Sequence, residues 1–253
     1  MKQKKCPQCK NLISITAPTC LFCGRPNKFV TNNYVKRKWN KNFKNNKQIT
    51  LNAYKTKSVN AKNAAVFISV KGDGEETSVE ASGSGVAVAH VGEKTVIMTA
   101  GHICQAVLIP GIESSEIMVW NIEGRGFYSS IISISPHFDL CLLSIDEVLP
   151  VARIAKTSPV SGDRVYYAGY PVGFYMPGVL HHFEGYMAGI DPTGDHMYNI
   201  PAIGGSSGSP VYNKKGEIVG ILSAVMIEFQ WMTFAVGTEN ILDFMENSGY
   251  EVR

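Results

Sequence analysis

The first 63 residues contain no aspartate or glutamate. They carry fifteen lysines and arginines and stand at +15, whereas residues 64–253 hold nine basic and 21 acidic residues and stand at −12. The net charge of +3 therefore hides a chain split into a basic and an acidic part, the pattern of two tasks or of one task and one address. No apolar run approaches the roughly 18 residues of a membrane-spanning helix, which excludes a helical membrane protein. The basic N-terminus, Met-Lys-Gln-Lys-Lys-Cys-Pro, is not followed by the apolar core of a secretory leader, so a cytoplasmic protein is expected. Histidine is scarce, with six in all, and none follows His196.

At 253 residues the chain has room for one large core, or for two barrels sharing a cleft, with a small appendage. Cysteine is also sparse, but four of the six residues fall in one array: Cys6-Pro7-Gln8-Cys9 and Cys20-Leu21-Phe22-Cys23-Gly24. Two such knuckles can turn four thiolates toward one ion. Two disulfides in a secreted domain are the alternative, and the missing leader argues against them. A structural Zn2+ held by Cys6, Cys9, Cys20 and Cys23 is expected, with all four coordination positions filled by protein. The CPxC…CxxCG array resembles a small zinc ribbon over residues 1–24, a type that binds nucleic acid or protein.

Residues 25–63 are rich in lysine and asparagine and show no apolar periodicity, as in a flexible linker. Tyr34, Trp39, Phe43 and Tyr54 are interleaved with the cations, a pattern in which rings stack on bases while lysines neutralise phosphates. The segment therefore admits three readings: a solvated tether, a nucleic-acid or acidic-protein binder, or an arm lying on the acidic domain of its own chain.

From Ala64 the pattern changes to short strands and turns. Strands are expected at Ala64–Val70, Gly83–Ala89, Val96–Thr99, Ile117–Asn121, Phe127–Ile134 and Leu140–Ile145, enough for one barrel. A second set follows Pro150: Arg164–Ala168, Val179–Gly189, His196–Ile200, a hairpin over Val211–Val219, then Glu217–Val225 and Gln230–Val236. Thr238–Met245 reads as a closing helix capped by Thr238. The fold class expected is all-β, two six-stranded antiparallel barrels with a C-terminal helix.

Gly204-Gly205-Ser206-Ser207-Gly208-Ser209-Pro210 places a serine between glycines, where the backbone can turn tightly. The N–H groups of Gly205 and Ser207 can there face a carbonyl oxygen that becomes negative during attack. Gly204-x-Ser206-x-Gly208 also spells a nucleophile elbow, but that motif needs a helix after it and a later histidine, and neither follows. Upstream, Thr99-Ala100-Gly101-His102 follows the apolar run Thr95–Met98, which reads as a buried strand, and Asp139 precedes the apolar run Leu140–Leu143. The order is His, Asp, Ser. These three motifs, each with its strand, resemble the trypsin/chymotrypsin-fold serine proteases, closest to HtrA-like and other bacterial or viral branches without disulfides.

The resemblance runs from about Ala64 to the C-terminus. It implies a serine endopeptidase with Ser207 as nucleophile, His102 as base, Asp139 as orienting acid and no metal in the chemistry. It places the primary specificity pocket at Pro201-Ala202-Ile203 and Ser223-Ala224-Val225, with Phe234-Ala235 nearby. No acid lies at its base, and Val225 stands where deep-pocket relatives have glycine, so cleavage after Val, Ala, Leu or Met is expected. Ser206 replaces the aspartate that cleavage-activated relatives pair with a new N-terminus, so no such activation is expected. Cys104 and Cys141 do not match the disulfide positions of secreted relatives and read as reduced core cysteines. A binding module with a catalytically silent protease fold is the alternative function.

Overall fold

The computed structural model describes residues 3–5, 12–14, 58–226 and 229–250. The chain divides into two units, Met1–Ile49 and Thr50–Arg253. In the first, β1 (Gln3–Lys5) pairs antiparallel with β2 (Leu12–Ser14), Lys5 opposite Leu12. Cys6 and Cys9 belong to the connection between these strands. All four expected zinc ligands, and the expected linker up to residue 57, lie outside the described residues.

The second unit is built from two closed barrels. The first contains β3 (Ala65–Asp73), β4 (Ser78–Val91), β5 (Lys94–Thr99), β6 (Ser114–Trp120), β7 (Gly126–Ile134) and β8 (Cys141–Ile145), closed in the order β3-β4-β5-β8-β7-β6. The second contains β9 (Arg164–Gly169), β10 (His181–Ile190), β11 (His196–Asn199), β12 (Pro210–Tyr212), β13 (Ile218–Met226) and β14 (Phe229–Gly237), closed as β10-β11-β14-β13-β12-β9. All neighbouring strands in these barrels run antiparallel, which matches the expected fold class. Closure leaves no unpaired strand edge to cover. Along β10 exposed residues alternate with more buried ones, the period of a strand with one face inward, whereas Thr95–Thr99 of β5 are buried throughout.

Two helical segments matter for the site. The short helix α1 (Gly101–Gln105) follows β5 directly, and α2 (Thr238–Asn247) follows β14. On α2, Ile241, Phe244 and Met245 are buried at helical spacing. Thr238 does not cap this helix as expected. Gly237 occupies the cap position, and the Thr238 hydroxyl donates to the Val219 carbonyl at 2.8 Å, tying the helix to β13. Residues 58–64 are held to both barrels: Val59 N–H donates to Val151 O, and Ala61 N–H to Gly216 O. The residues nearest the start of the first barrel are thus packed structure up to six positions before Ala64.

Candidate active site

Thr99 ends β5, and the chain turns at Ala100 into α1, which puts His102 on its first turn. Gly101 eases this turn, because a Cβ there would lie 3.0 Å from Leu140 N and 3.1 Å from Asp139 Oδ1 and press on the loop that carries the acid. Asp139 sits on a tight loop ahead of β8, where Ser135 accepts the N–H groups of His137 and Phe138 and donates its own N–H to Leu140 O. The Asp139 carboxylate accepts His102 N–H on Oδ1 at 2.7 Å and faces His102 Nδ1 through Oδ2 at 2.7 Å. Since a carboxylate only accepts, Nδ1 carries the hydrogen and Nε2 is left as the basic nitrogen.

A third donor joins them. Ser223 Oγ donates to Asp139 Oδ2 at 2.7 Å. Ser223 was expected only as a pocket wall; its hydroxyl is turned toward the acid. Burial works against the His102 imidazolium, but the hydrogen bond and charge of Asp139 outweigh it and raise the His102 pKa above 6.5. Burial likewise pulls the Asp139 pKa upward. The hydrogen bond and charge of His102, the Ser223 hydroxyl and the His102 N–H outweigh that effect, and the net shift is downward.

Ser207 lies on the loop between Ile203 and Pro210, closed by Ser206 N–H to Ile203 O and Ser209 N–H to Ser206 O. Gly205 and Gly208 have φ of +86° and +84°, a region that favours glycine. At Gly208 a side chain is also excluded by space, since a Cβ would fall 2.0 Å from Ser84 O and 2.3 Å from Thr99 Oγ1. This close approach sets the serine loop against the end of β5, the strand that leads to His102. Ser207 O accepts Ser84 N–H at 2.8 Å, whereas Ser207 Oγ, Ser207 N–H and Gly205 N–H form no hydrogen bond among the described residues. Two backbone donors and one hydroxyl are therefore left for an incoming group.

The expected pocket residues take different positions. Ala202 is buried, Ile203 and Ala224 are exposed, and Pro201 and Val225 are half-buried, with Val225 opposite Thr233 on β14. Beneath them the Tyr167 hydroxyl donates to Pro201 O at 2.9 Å and lies 3.4 Å from Ser206 Oγ. Burial pushes the Tyr167 pKa up to about 12, so this hydroxyl stays protonated. The cysteine expectation is corrected: Cys104 and Cys141 form a disulfide. The reason is local. Once α1 packs on the start of β8 to bring His102 to Asp139, the cysteines two residues further along each segment face one another, with Cα atoms 6.4 Å apart.

The trypsin-like peptidase domain family matches residues 83–221, more than half of the chain. The chain belongs to the trypsin-like peptidase family. Its curated relatives are of the HtrA/DegP type. It is 27% identical over 201 residues to the serine protease Do-like HtrA of Bacillus subtilis, covering 73% of this chain and 43% of that protein. A probable periplasmic serine endoprotease, DegP-like, of Pseudomonas fluorescens is 26% identical over 183 residues, with 69% of this chain and 36% of that protein covered. The chain thus spans less than half the length of these relatives. Among solved structures, the serine endoprotease from Yersinia pestis aligns with a TM-score of 0.61 at 24% identity over 75% of this chain and 64% of that one. The active form of the Rv3671c protease from Mycobacterium tuberculosis aligns at 0.59 and 17% identity over 76% and 83%. These two likenesses establish the fold.

Proposed function

We propose that the barrel domain is a serine endopeptidase acting through Ser207, His102 and Asp139. The observation that carries this reading is the His102 ring held by Asp139 through Nδ1, with Nε2 left basic, beside a serine loop whose Gly205 and Ser207 N–H groups are unengaged by described residues. In this mechanism Ser207 Oγ attacks the scissile carbonyl as His102 Nε2 takes its proton. The carbonyl oxygen, now negative, accepts the N–H groups of Gly205 and Ser207. His102 passes the proton to the leaving amine, and an acyl-enzyme remains on Ser207. A water then repeats the sequence, with His102 again the base, and frees the second product. Asp139 holds the imidazole in the required tautomer and stabilises its charged form, and the Ser223 hydroxyl helps keep the carboxylate ionised.

The pocket lined by Pro201, Ala202, Ile203, Ala224 and Val225 carries no ionisable group, and Val225 narrows it. Small or medium aliphatic residues fit that chemistry, and a peptide library read by mass spectrometry tests it; preferred cleavage after Lys or Arg contradicts it. Fluorophosphonate labelling of Ser207 tests the reaction class.

Zinc on Cys6, Cys9, Cys20 and Cys23 belongs to the same proposal. The β1–β2 hairpin supports it, because antiparallel pairing of Lys5 with Leu12 draws together the ends of the segment that contains Cys6 and Cys9. Such a closed site would fold the ribbon and take no part in hydrolysis. The ribbon and the basic segment would supply targeting, toward nucleic acid or an acidic protein surface. Salt-sensitive binding of the intact chain to nucleic acid, absent from a variant with the lysines of residues 36–47 neutralised, separates the first partner from the second. The compartment follows from cysteine chemistry. A disulfide between Cys104 and Cys141 persists where the surroundings are oxidising, so cytoplasmic residence goes with a dithiol at these positions. Trapping free thiols at the moment of cell lysis decides between them.

A further inference from the structure

Ser84 is fully buried on β4, and every polar group it carries is engaged. Its N–H donates to Ser207 O at 2.8 Å, and its carbonyl accepts the Thr99 hydroxyl at 2.7 Å. Its own hydroxyl donates to Gly205 O at 3.0 Å and accepts Tyr170 N–H at 2.9 Å. One side chain of the first barrel thus touches the serine loop and the end of β9. The flanking glycines permit this approach, since a Cβ at Gly83 would fall 2.9 Å from Ile103 Cδ1 and 3.1 Å from Ser207 O.

The consequence concerns Gly205. Its N–H belongs to the Gly204–Gly205 peptide, whose carbonyl accepts Val172 N–H at 2.6 Å. A planar trans peptide points its N–H opposite its C=O, so this bond fixes the direction of the Gly205 N–H. The next peptide is fixed at its carbonyl by the Ser84 hydroxyl. With the carbonyls on both sides of the Gly205 Cα anchored, neither peptide can rotate alone. The turn supplying Val172 is itself joined to Ser84 through Tyr170 N–H. Val172 has φ +51°, the sole non-glycine residue with positive φ among those described, a conformation that a β-branched residue holds only against steric cost. The hydroxyl at position 84 serves a facing N–H and a facing C=O from a single atom.

We infer that Ser84 is a positioning residue for the oxyanion-binding peptide, acting through Gly205 and the Tyr170–Gly173 turn. This rests on the peptidase reading, and its test is arranged so that the two fail separately. Ser84→Ala in the intact chain leaves the buried Tyr170 N–H and the part-buried Gly205 C=O without a partner. The inference predicts that kcat on a peptide substrate falls by about 10- to 100-fold while KM stays within about threefold, because the lost contact acts on the transition state. The Ki of a peptide boronate, which places an oxygen at the same N–H groups, rises in step with the fall in kcat. Ser84→Thr, which keeps the hydroxyl, recovers most of both.

Amide hydrogen exchange supplies an arm that needs no catalysis. In Ser84→Ala, exchange in peptides covering 168–175 and 202–209 quickens by about tenfold or more, with strands β5 and β8 unchanged. A kcat within twofold of the parent, a loss confined to KM, or exchange that quickens evenly over both barrels overturns the assignment. A parent protein that hydrolyses nothing contradicts the peptidase reading alone, and the exchange result still decides the role of Ser84.

Discussion

Ser223 donates its hydroxyl to the same carboxylate oxygen, Oδ2 of Asp139, that faces the His102 ring. The acid at the centre of the site is therefore held from both barrels: from the first by α1, which carries His102, and from the second by β13, which carries Ser223. Removing the Ser223 hydroxyl in Ser223→Ala takes away one hydrogen bond to an ionised group, a loss of about 1.5–3 kcal/mol in buried settings. A fall in kcat of about tenfold or more is expected, smaller than the roughly 10³- to 10⁴-fold fall for Asp139→Asn, which also spoils the tautomer. Steady-state kinetics on one peptide substrate compares the two.

The pH profile follows from the shift at His102. Its pKa is raised, and in the proposed mechanism the base must be neutral to accept the Ser207 proton, so kcat/KM is expected to decline as pH falls through a value above 6.5. In Asp139→Asn the hydrogen bond and charge that raise the pKa are weakened, burial then dominates, and the residual activity has its acid limb at lower pH. A limb that stays in place contradicts the stated cause of the shift.

A second histidine adds to the loss of stability in acid. His196 is buried, with Nδ1 2.8 Å from Tyr198 Oη and Nε2 3.2 Å from Ser158 Oγ, and burial lowers its pKa to about 4. The unfolded chain takes up a proton near 6.5 while the folded chain resists until about 4, so stability is full above 6.5 and declines as pH falls toward 4. The decline from this group is about 2–3 kcal/mol. Urea melts at pH 7 and pH 4.5 should show it, and His196→Gln should flatten the difference.

The strands and the pair His102 and Asp139, which the structure brings together, were legible because each has a local signature: alternation, glycine turns, and a polar residue beside an apolar strand. Ser223 was not, since a serine inside a strand carries no mark of a partner on another barrel. The Cys104–Cys141 disulfide has no local mark in the sequence for a similar reason. The two cysteines are 37 residues apart, and only the packing of α1 against β8 makes them neighbours. Thr238 looked like a helix cap because threonine favours that place. Tertiary contact with the Val219 carbonyl claimed its hydroxyl first. Ser84 sits in an ordinary Gly-Ser-Gly run, and three of its four hydrogen bonds, those to Ser207, Gly205 and Tyr170, exist only once the two barrels meet.

The cysteines themselves make a countable prediction. With metal stripped and the chain denatured without reductant, four of the six cysteines titrate as thiols; after reduction, all six do. Six before reduction contradicts the disulfide. Replacing both Cys104 and Cys141 by alanine costs about 4 kcal/mol in the chain-entropy picture for a loop of this length. If the four remaining cysteines hold zinc as proposed, one zinc per chain is expected, released from the native protein by thiol modification.

Gly208→Ala probes the approach of the two barrels. The added Cβ would meet Ser84 O and Thr99 Oγ1 within contact distance, at a φ that disfavours any side chain. A fall in kcat of about 10²-fold or more is expected, because a shift of about an ångström in catalytic groups has that effect. Thermal unfolding of the same variant should also move to lower temperature.

The most direct measurement is labelling of the intact protein with a fluorophosphonate probe, alongside Ser207→Ala and Ser206→Ala. Labelling that persists in Ser206→Ala and disappears only in Ser207→Ala is the predicted result, and it places the activated nucleophile beside His102 and Asp139. Labelling lost only in Ser206→Ala, or absent from the parent protein altogether, contradicts the account.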